Sequence, residues 1–392
     1  MANFHLKEVN SKQTRRDFLE LPLTLYKDYP NWIRPLDVDI ENVFNPKVNK
    51  HFRHGEAIRW VLYDENERPV GRIAAFYDRD IAKNSEQPTG GVGFFECIDN
   101  QDAANLMFKT AKQWLKGKGM EAMDGPINFG DRDRWWGLLV EGDYPPNYCM
   151  DYHLPYYRKL FENYGFKVYF HQYTYHRYVN SEDVDPIVWE KAERIARNPS
   201  YTITTISKKN LKKFAKDFRT IYNNAWGRYT GVKKITEAHA MALMKTMKPI
   251  IDPQLMYFAY YDGEPIGFFI MVPDLNQVVR HLNGKFDLLS KLYFLYLLKV
   301  KKVCTKAIGL IFGIVPRHQG KGVEGALVNE FAKRALAPGF RYKELELNWI
   351  GDFNPTMRRV AEQIGGRVRK THITFRYMFD PTKDVVPPRK VS

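Results

Sequence analysis

A turn rich in glycine and basic residues follows an apolar strand near the C-terminal end of the chain. Gly320 and Gly322 allow a tight turn whose backbone N–H groups are not shielded by a Cβ atom. Arg317 and Lys321 add positive charge, and the helix-forming run that starts at Val323 adds the positive end of a helix dipole. This combination suits a pyrophosphate and therefore predicts a cofactor that carries a nucleotide. An ordinary strand-to-helix turn with chance basic residues is the competing interpretation.

Two other phosphate-binding patterns can be compared with this turn. The Walker pattern requires Ser or Thr after its lysine, and Gly322 stands after Lys321, so that pattern fails. The dinucleotide fingerprint has the spacing Gly-x-Gly-x-x-Gly, which Gly320, Gly322 and Gly325 satisfy. However, no acidic residue closes a second short strand as that fingerprint requires, so a dinucleotide site is less favoured.

The turn resembles the acetyl-CoA loop of the GNAT N-acetyltransferase superfamily. That loop reads Gln/Arg-x-x-Gly-x-Gly/Ala, and the run from Arg317 to Gly322 matches each fixed position. The resemblance implies acetyl-CoA, or another acyl-CoA, as cosubstrate. The residues that it assigns to CoA are Ile314, Val315, Arg317, His318, Gln319, Gly320, Lys321, Gly322 and Val323.

The resemblance also implies contacts with the pantetheine arm and the thioester. In the family the strand before the loop, here Gly313 to Val315, pairs with the arm and polarises the thioester carbonyl with a backbone amide. Asn354, with Gly365 after it, resembles a looser family segment whose Asn lies near pantetheine. The family's last helix often carries the tyrosine that protonates the thiolate, but this chain has Arg358, Arg359, Val360 and Ala361 there. Tyr377 or solvent would have to substitute for that tyrosine.

Acyl transfer to an amine also requires a base that removes a proton from the nucleophile. Glu344, Glu346 and Asn348 alternate along one strand, so they project to one face while Leu345 and Leu347 face the core. Glu346 is the predicted catalytic base because it lies nearest the middle of the strand. A solvated strand face is the competing interpretation.

The pattern of elements predicts an α/β fold of the α+β kind, with a mixed sheet. Residues 200 to 380 read as β-α-α-β-β, a mainly helical insertion, and then β-α-β-α-β, which is the GNAT order. The N-terminal half has a similar order and ends in a helix with Gly165-Phe166, like the family's last helix. The sequence therefore predicts two GNAT-like acyl-CoA acyltransferase domains in tandem, a first copy over residues 1–180 and a second copy over residues 181–392.

The first copy is predicted to be degenerate. Where it needs a phosphate loop it reads Asp99-Asn100-Gln101-Asp102, which has no glycine and two carboxylates that would repel a pyrophosphate. Its loop from Gly125 to Pro146, rich in Gly, Trp and Pro, has no place in a minimal acyltransferase. That loop either lines a substrate groove at the junction of the copies or packs there through Trp135 and Trp136.

Composition limits the setting and the partners. The chain has 392 residues and a net charge of +15, which suggests an anionic partner such as CoA, nucleic acid or an acidic membrane surface. Three dispersed cysteines and ten dispersed histidines give no disulfide framework and no metal-ligand spacing. The N-terminus lacks a secretory h-region, and no uncharged apolar run of about 18 residues occurs, so no membrane span and a cytoplasmic location are predicted. The apolar run from Leu288 to Leu298 fits an acyl tunnel, a membrane contact or a buried helix.

The favoured function is CoA-dependent N-acyl transfer, most simply N-acetyl transfer, to a small-molecule or protein amine. One alternative is a Fem-like transferase that uses aminoacyl-tRNA, for which the positive charge would suit RNA. Another is a protein that binds CoA or nucleic acid without catalysis. The sequence does not identify the acceptor, the acyl length or the oligomeric state, and nucleic acid is the less favoured partner.

Overall fold

The computed structural model describes residues 3–180, 184–227 and 234–388. Within these residues the chain forms one large mixed sheet with helices packed on both faces. The strands are β1 (His5–Glu8), β2 (Gly55–Tyr63), β3 (Pro69–Asp78), β4 (Thr89–Cys97), β5 (Ala122–Gly125), β6 (Leu138–Glu141), β7 (Lys167–Tyr178), β8 (Tyr201–Thr205), β9 (Met256–Tyr261), β10 (Glu264–Pro273), β11 (Lys306–Ile314), β12 (Glu344–Gly351) and β13 (Arg367–Met378). The α-helices are α1 (Lys12–Leu25), α2 (Asp37–Val43), α3 (Arg79–Lys83), α4 (Gln101–Gly117), α5 (Tyr157–Tyr164), α6 (Pro186–Ala196), α7 (Leu211–Trp226), α8 (Glu237–Met247), α9 (Asn276–Val279), α10 (Leu288–Leu295), α11 (Val323–Ala335) and α12 (Pro355–Gln363).

Local sequence signals fix the ends of several elements. Ser11 and Thr14 form a capping box at the start of α1, and the Thr236 side chain accepts a hydrogen bond from the His239 N–H at the start of α8. Asp262 and Gly263 both have positive φ between β9 and β10, as a tight two-residue hairpin turn requires. The two caps and the turn therefore set where these elements begin and end.

Alternating side chains along the hairpin bury a core on each face of the sheet in the second copy. Phe258 packs against Phe214 of α7, with ring centroids 5.0 Å apart. The preceding residue, Tyr257, projects to the opposite face of the sheet and packs with Phe331 of α11. The two-residue period of the strand thus places α7 and α11 on opposite faces, and the predicted mixed α/β class is confirmed.

The two copies share one continuous sheet. Its strand order is β1-β2-β3-β4-β5-β13-β7-β12-β11-β10-β9-β8, with β6 beside β13. The closing strands are therefore exchanged: β13 of the second copy pairs with β5, and β7 of the first copy pairs with β12.

The two closing strands also pair with each other at the centre of the sheet. Their antiparallel register is nearly two-fold symmetric, with Arg367 opposite His176 and Arg376 opposite Lys167. The domain boundary near residue 180 stays a prediction. Strands from the two sides of this boundary pair with each other in the sheet, as β7 does with β12 and β13.

Candidate functional site

Two parallel strands separate in the middle of the second copy. Pairing of β11 with β12 runs only from Lys306 opposite Glu344 to Gly309 opposite Leu347. Beyond that point β11 still pairs with β10 as far as Ile314, and β12 continues along β7. The two strands thus stop pairing after Gly309 and Leu347, and we call the region between their unpaired parts the strand cleft.

A β-bulge lies at the start of the strand cleft. The register of β10 on β11 passes from Ile311 to Gly309, so Leu310 has no partner residue on β10. Leu310 has none on β12 either, and its side chain is 47% exposed although β11 is a central strand. The backbone around Leu310 is therefore free to meet a ligand in the cleft.

The far end of β11 leads into the predicted CoA loop. The chain forms a 3-10 turn over Pro316–His318, and Gly320 and Gly322 both adopt positive φ, of 71° and 101°. The backbone N–H groups from Gly320 through Gly325 donate to no acceptor within the residues described. The first turn of α11 supplies part of this set, as helix N-termini do. The loop therefore has a run of backbone N–H donors that no described acceptor uses, and a phosphate site needs such donors.

The side chains of the predicted CoA loop point in different directions. Arg317 and Lys321 are exposed, whereas Ile314 and Val315 are buried. His318 is also buried, with its Nδ1 3.1 Å from the Tyr201 hydroxyl, so its imidazole is directed away from solvent. Burial and the nearby Lys321 and Arg317 lower the pKa of His318, which keeps the ring neutral. Only the backbone of His318 is left for the predicted contact with CoA.

Gln319 and Val315 stabilise the loop itself. The Gln319 side-chain amide donates to the Ile314 carbonyl at 2.9 Å. The Val315 N–H donates to the Ile266 carbonyl at 2.8 Å, so this amide is not available to polarise a thioester. The bulge at Leu310 is the better position for that amide.

Helix α6 adds positive charge that the sequence reasoning missed. Arg194 donates to the Lys321 carbonyl at 2.7 Å, and Lys191 forms an ion pair with Glu324 at 3.2 Å. A Cβ atom at Gly325 would lie 2.7 Å from the Val188 carbonyl, so a glycine there lets α6 approach α11 closely. The two cations of this helix, Lys191 and Arg194, were visible in the sequence, but nothing in the sequence indicated that α6 packs beside the loop.

Asn354 lies at the same end of the sheet as the loop, because β11 and β12 are parallel and it follows β12. It is the N-cap of α12, and its side-chain oxygen accepts a hydrogen bond from the Met357 N–H at 3.1 Å. The predicted contact with pantetheine would therefore fall to its amide nitrogen. Tyr377, by contrast, lies opposite Met123 in the first copy and packs on Tyr164, away from the strand cleft.

Glu346 lies one strand position before the cleft and is fully buried among cations. Its carboxylate is 2.8 Å from the Lys370 Nζ, 3.3 Å from the Arg369 guanidinium and 3.7 Å from the Lys306 Nζ. Asn147 also donates to it at 2.7 Å. Although burial opposes ionisation, these partners hold the pKa of Glu346 at about 2. A carboxylate with so low a pKa is a weak proton acceptor, although it strongly orders the charges around it.

A second carboxylate of β12 holds a histidine. His176 lies opposite Glu346 in the β12–β7 register, and its Nε2 is 2.8 Å from the Glu344 carboxylate. Burial and the charge of Arg369 lower the pKa of His176 despite that carboxylate, so the ring is neutral at pH 7. With Nε2 donating to Glu344, Nδ1 is an acceptor that no described residue occupies. The sequence reasoning missed His176 because it lies in the first copy by chain order.

The loop from Gly125 to Pro146 reaches this cluster from the first copy. The Pro145 carbonyl accepts a hydrogen bond from Lys370 at 3.1 Å, and Asn147, just past the loop, bonds both Glu346 and Asn348. Trp135 and Trp136 are buried, so these two residues pack rather than line an open groove. The loop therefore covers the polar face at the junction of the copies.

The equivalent region of the first copy is filled by its own side chains. Pairing of β4 with β5 ends at Gly91 opposite Asp124, but the Tyr157 hydroxyl accepts the Cys97 N–H at 3.0 Å and donates to Glu96 at 2.8 Å. Asn100 caps α4 with its side chain. These contacts occupy the backbone N–H groups of Cys97 and Ala103, and the degenerate character of the first copy stays a prediction.

One group of side chains outside this site has the composition of metal ligands. His54, Asp78 and Asp80 bring ligand atoms within 4.8 Å of one another. His51 and His54 both contact the Asp78 carboxylate, at 2.9 and 3.3 Å, and His–Asp pairing alone accounts for these contacts. Within the three described ranges, no helix has the length and hydropathy needed to cross a membrane.

Comparison with known proteins agrees with this geometry. No family model matches the chain. The chain is 28% identical over 382 residues to a bacterial ceramide synthase of Caulobacter vibrioides, covering 95% of this chain and 97% of that protein. It is 26% identical over 366 residues to protein YghO of Escherichia coli, covering 92% of each.

Solved structures with the same fold are acyltransferases of the GNAT type. A tandem GNAT protein from the clavulanic acid biosynthesis pathway superposes with a TM-score of 0.56 at 11% identity, covering 98% of this chain and all of that one. A GCN5-related N-acetyltransferase from Sphaerobacter thermophilus gives a TM-score of 0.50 at 11% identity, covering 98% of each chain. The chain therefore has the GNAT fold, and the expected tandem arrangement is confirmed.

Proposed function

We propose that this tandem GNAT-fold protein transfers an acyl group from an acyl-CoA thioester to the amino group of a long-chain lipid amine. The observation that carries the proposal is the strand cleft, which opens after Gly309 and ends at a loop with free N–H groups from Gly320 through Gly325. Pantetheine would lie in the cleft, and the pyrophosphate would lie on the loop beside Arg317 and Lys321.

The class of acceptor comes from the likeness to a bacterial ceramide synthase over nearly the whole of both chains. A ceramide is the amide of a fatty acid with a long-chain amino alcohol, so its synthesis is an N-acyl transfer. An acetyl donor stays the simplest prediction from the loop alone. We favour a longer acyl chain because ceramide formation requires a fatty acyl group.

The residues around the cleft fit the steps of this reaction. The backbone at the Leu310 bulge would donate to the thioester oxygen as negative charge develops there. His176, oriented by Glu344, would accept the proton of the attacking amine. Glu346 stays the base proposed from the sequence, but its buried ion pairs favour a role in positioning Lys370, Arg369 and Asn147. Solvent is left as the proton source for the thiolate.

The substitution G320A tests the CoA site. A Cβ atom at this position meets no atom of the protein within 4 Å. It would, however, project from the loop on which the pyrophosphate is proposed to lie. We expect the KM for acyl-CoA to rise by about tenfold or more, which corresponds to about 1.4 kcal/mol. Release of CoA and formation of the amide are measured with acetyl-CoA and with long-chain acyl-CoA, using a long-chain amino alcohol as acceptor.

The matched control is G263A. Gly263 also has positive φ, of 80°, and also has nothing within 4 Å, but it lies in the β9–β10 hairpin. Both variants should lose about 1 kcal/mol of stability from the strained backbone, and only G320A should affect CoA. Equal KM values in the two variants, or transfer that depends on aminoacyl-tRNA instead of CoA, would contradict the proposal.

A further inference from the structure

An apolar helix projects from the insertion between β10 and β11. It comprises α10 and the π-helical turn Tyr296–Val300 that continues it, and we call both together the apolar helix. Phe294, Leu297 and Leu298 are buried and hold it to the protein. Its other large apolar side chains are exposed, and these are Leu288, Leu289, Leu292, Tyr293, Leu295, Tyr296 and Val300. Exposure reaches 78% at Leu289, so the described protein covers little of this surface.

Positive charge surrounds the apolar helix. Residues 280–302 contain one acidic residue, Asp287, which caps α10 through the Ser290 N–H. The same segment carries the cations Arg280, Lys285, Lys291, Lys299, Lys301 and Lys302. No carboxylate of a described residue forms an ion pair with any of these cations. The segment therefore has a largely apolar helix that carries cations within it and on both sides of it in the chain.

The insertion that carries the apolar helix starts and ends at the buried polar cluster. Asp274 follows β10 and Lys306 begins β11, and their side chains form an ion pair at 3.1 Å. Lys306 also lies 3.7 Å from the Glu346 carboxylate. Gln277 accepts hydrogen bonds from the N–H groups of Thr305 and Lys306, which ties the two ends of the insertion together. The apolar helix is thus connected to the end of the strand cleft opposite the CoA loop.

We propose that the apolar helix lies in the surface of an anionic lipid bilayer, with its leucines among the acyl chains and its lysines at the headgroup phosphates. Apolar residues with flanking lysines and with tyrosines at the boundary are the composition of interfacial helices. A second copy of the chain is a poorer occupant, because pairing two such surfaces would bring their cations together. This inference rests on the proposed function and extends it, because a helix in the bilayer surface would let a lipid amine pass from the bilayer to His176 and Glu346.

Vesicle binding by the full-length protein tests this inference. The probes are vesicles of phosphatidylcholine alone and vesicles of phosphatidylcholine mixed with phosphatidylglycerol. We expect the protein to co-sediment with the mixed vesicles, and salt should weaken this binding. The variant L288S/L289S/L292S should lose binding by at least about tenfold, since each leucine contributes apolar burial. The variant K299Q/K301Q/K302Q should lose the preference for anionic vesicles.

The control variant V48S/I81S/L336S removes apolar side chains with comparable exposure, of 59%, 57% and 51%, from other surfaces. It should bind vesicles like the unchanged protein. The inference is overturned if the unchanged protein binds neither vesicle, or if the leucine variant binds as well as the control. It is also overturned if the leucine variant loses only a dimer measured by mass photometry, because a second copy would then cover the helix.

Turnover separates this inference from the proposed function. Acyl transfer to a short water-soluble amine should be equal in the leucine variant and the control, whereas transfer to a long-chain amine in vesicles should fall in the leucine variant. Vesicle binding without transfer to any amine would remove the proposed function and leave the membrane surface supported. Transfer to a long-chain amine without vesicle binding would support the proposed function and exclude the membrane surface.

Discussion

Two glutamates of β12 carry their negative charge in different surroundings. Glu346 is fully buried and shares its carboxylate with Lys370, Arg369 and Asn147. Glu344 is partly exposed and holds His176 as well as Arg369. Their alternate positions along the strand predict that both side chains project to one face of the sheet. The alternation does not predict how many cations from other strands contact each carboxylate. The buried ion pairs that hold the pKa of Glu346 at about 2 favour a structural role for this carboxylate, and in the proposed mechanism the neutral imidazole of His176 accepts the proton.

The variants H176Q and E346Q distinguish these roles. H176Q should lower kcat by about 100-fold or more, with little change in melting temperature, because general bases contribute about 100- to 10,000-fold. E346Q leaves the buried Lys370 without its closest anion and should lower the free energy of unfolding by about 3–5 kcal/mol. Steady-state kinetics and denaturant unfolding of both variants are the measurements. A stable E346Q protein with a large loss of kcat would instead identify Glu346 as the base, as the sequence predicts.

The pH dependence of kcat adds a second test at the residue scale. The pKa of His176 is lowered below its usual 6.5 by burial and Arg369, so its neutral form is already dominant at pH 7. We expect kcat to rise with pH through this lowered pKa and to be level above it, and H176Q should remove that rise. An unchanged pH profile in H176Q would exclude His176 as the group that titrates.

At the scale of elements, α6 and α11 pack against each other beside the predicted CoA loop. Gly325 and Ala192 face each other there, and Arg194 holds the loop through the Lys321 carbonyl. The small side chains let the helices approach closely enough for this hydrogen bond. The position of the loop thus depends on a helix that precedes the second copy's first strand.

Replacing helical glycines by alanine tests the contact between α6 and α11. G325A places a Cβ atom 2.7 Å from the Val188 carbonyl and 2.9 Å from the Lys191 Cβ, so it should destabilise the protein by about 1–3 kcal/mol and weaken CoA binding. G117A is the control, because a Cβ at that helical position meets nothing within 4 Å. It should be neutral or stabilise by up to about 1 kcal/mol. Equal unfolding midpoints for the two variants would contradict close packing of α6 on α11.

The sequence predicts elements better than it predicts their neighbours. The hairpin at Asp262-Gly263, the cap at Thr236 and the loop after Val315 depend on local backbone chemistry, so their residues are sufficient to identify them. The contact of His176 with Glu344 depends on strands that are far apart in the chain, and local patterns carry no signal for such a register. The contact of α6 with the loop after Val315 also joins distant parts of the chain, so local patterns did not predict it.

At the scale of the whole molecule, the exchange of closing strands joins the copies. By chain order β7 ends the first copy, yet it pairs with β12 and carries His176 to the strand cleft. In return β13 pairs with β5 and extends the sheet of the first copy. Each copy therefore lacks its last strand unless the other copy is present.

Expression of residues 1–180 and 181–392 as separate chains tests this dependence. Each half should be insoluble or oligomeric alone, because β7 and β13 would expose long unpaired strands. Co-expressed halves should co-purify as a one-to-one complex that binds acyl-CoA, as measured by size-exclusion chromatography and native mass spectrometry. A stable, cooperatively unfolding monomer of either half would show that the halves are independent domains.

The exchange of strands also has an evolutionary consequence. A copy without a CoA loop, as the sequence predicts the first copy to be, would ordinarily be free to drift or to be deleted. Here the first copy supplies β7 to the second. Deletion of the first copy would therefore remove the strand beside Glu346 together with His176. Purifying selection on the proposed reaction in the second half would therefore also act on β7, a strand of the first half.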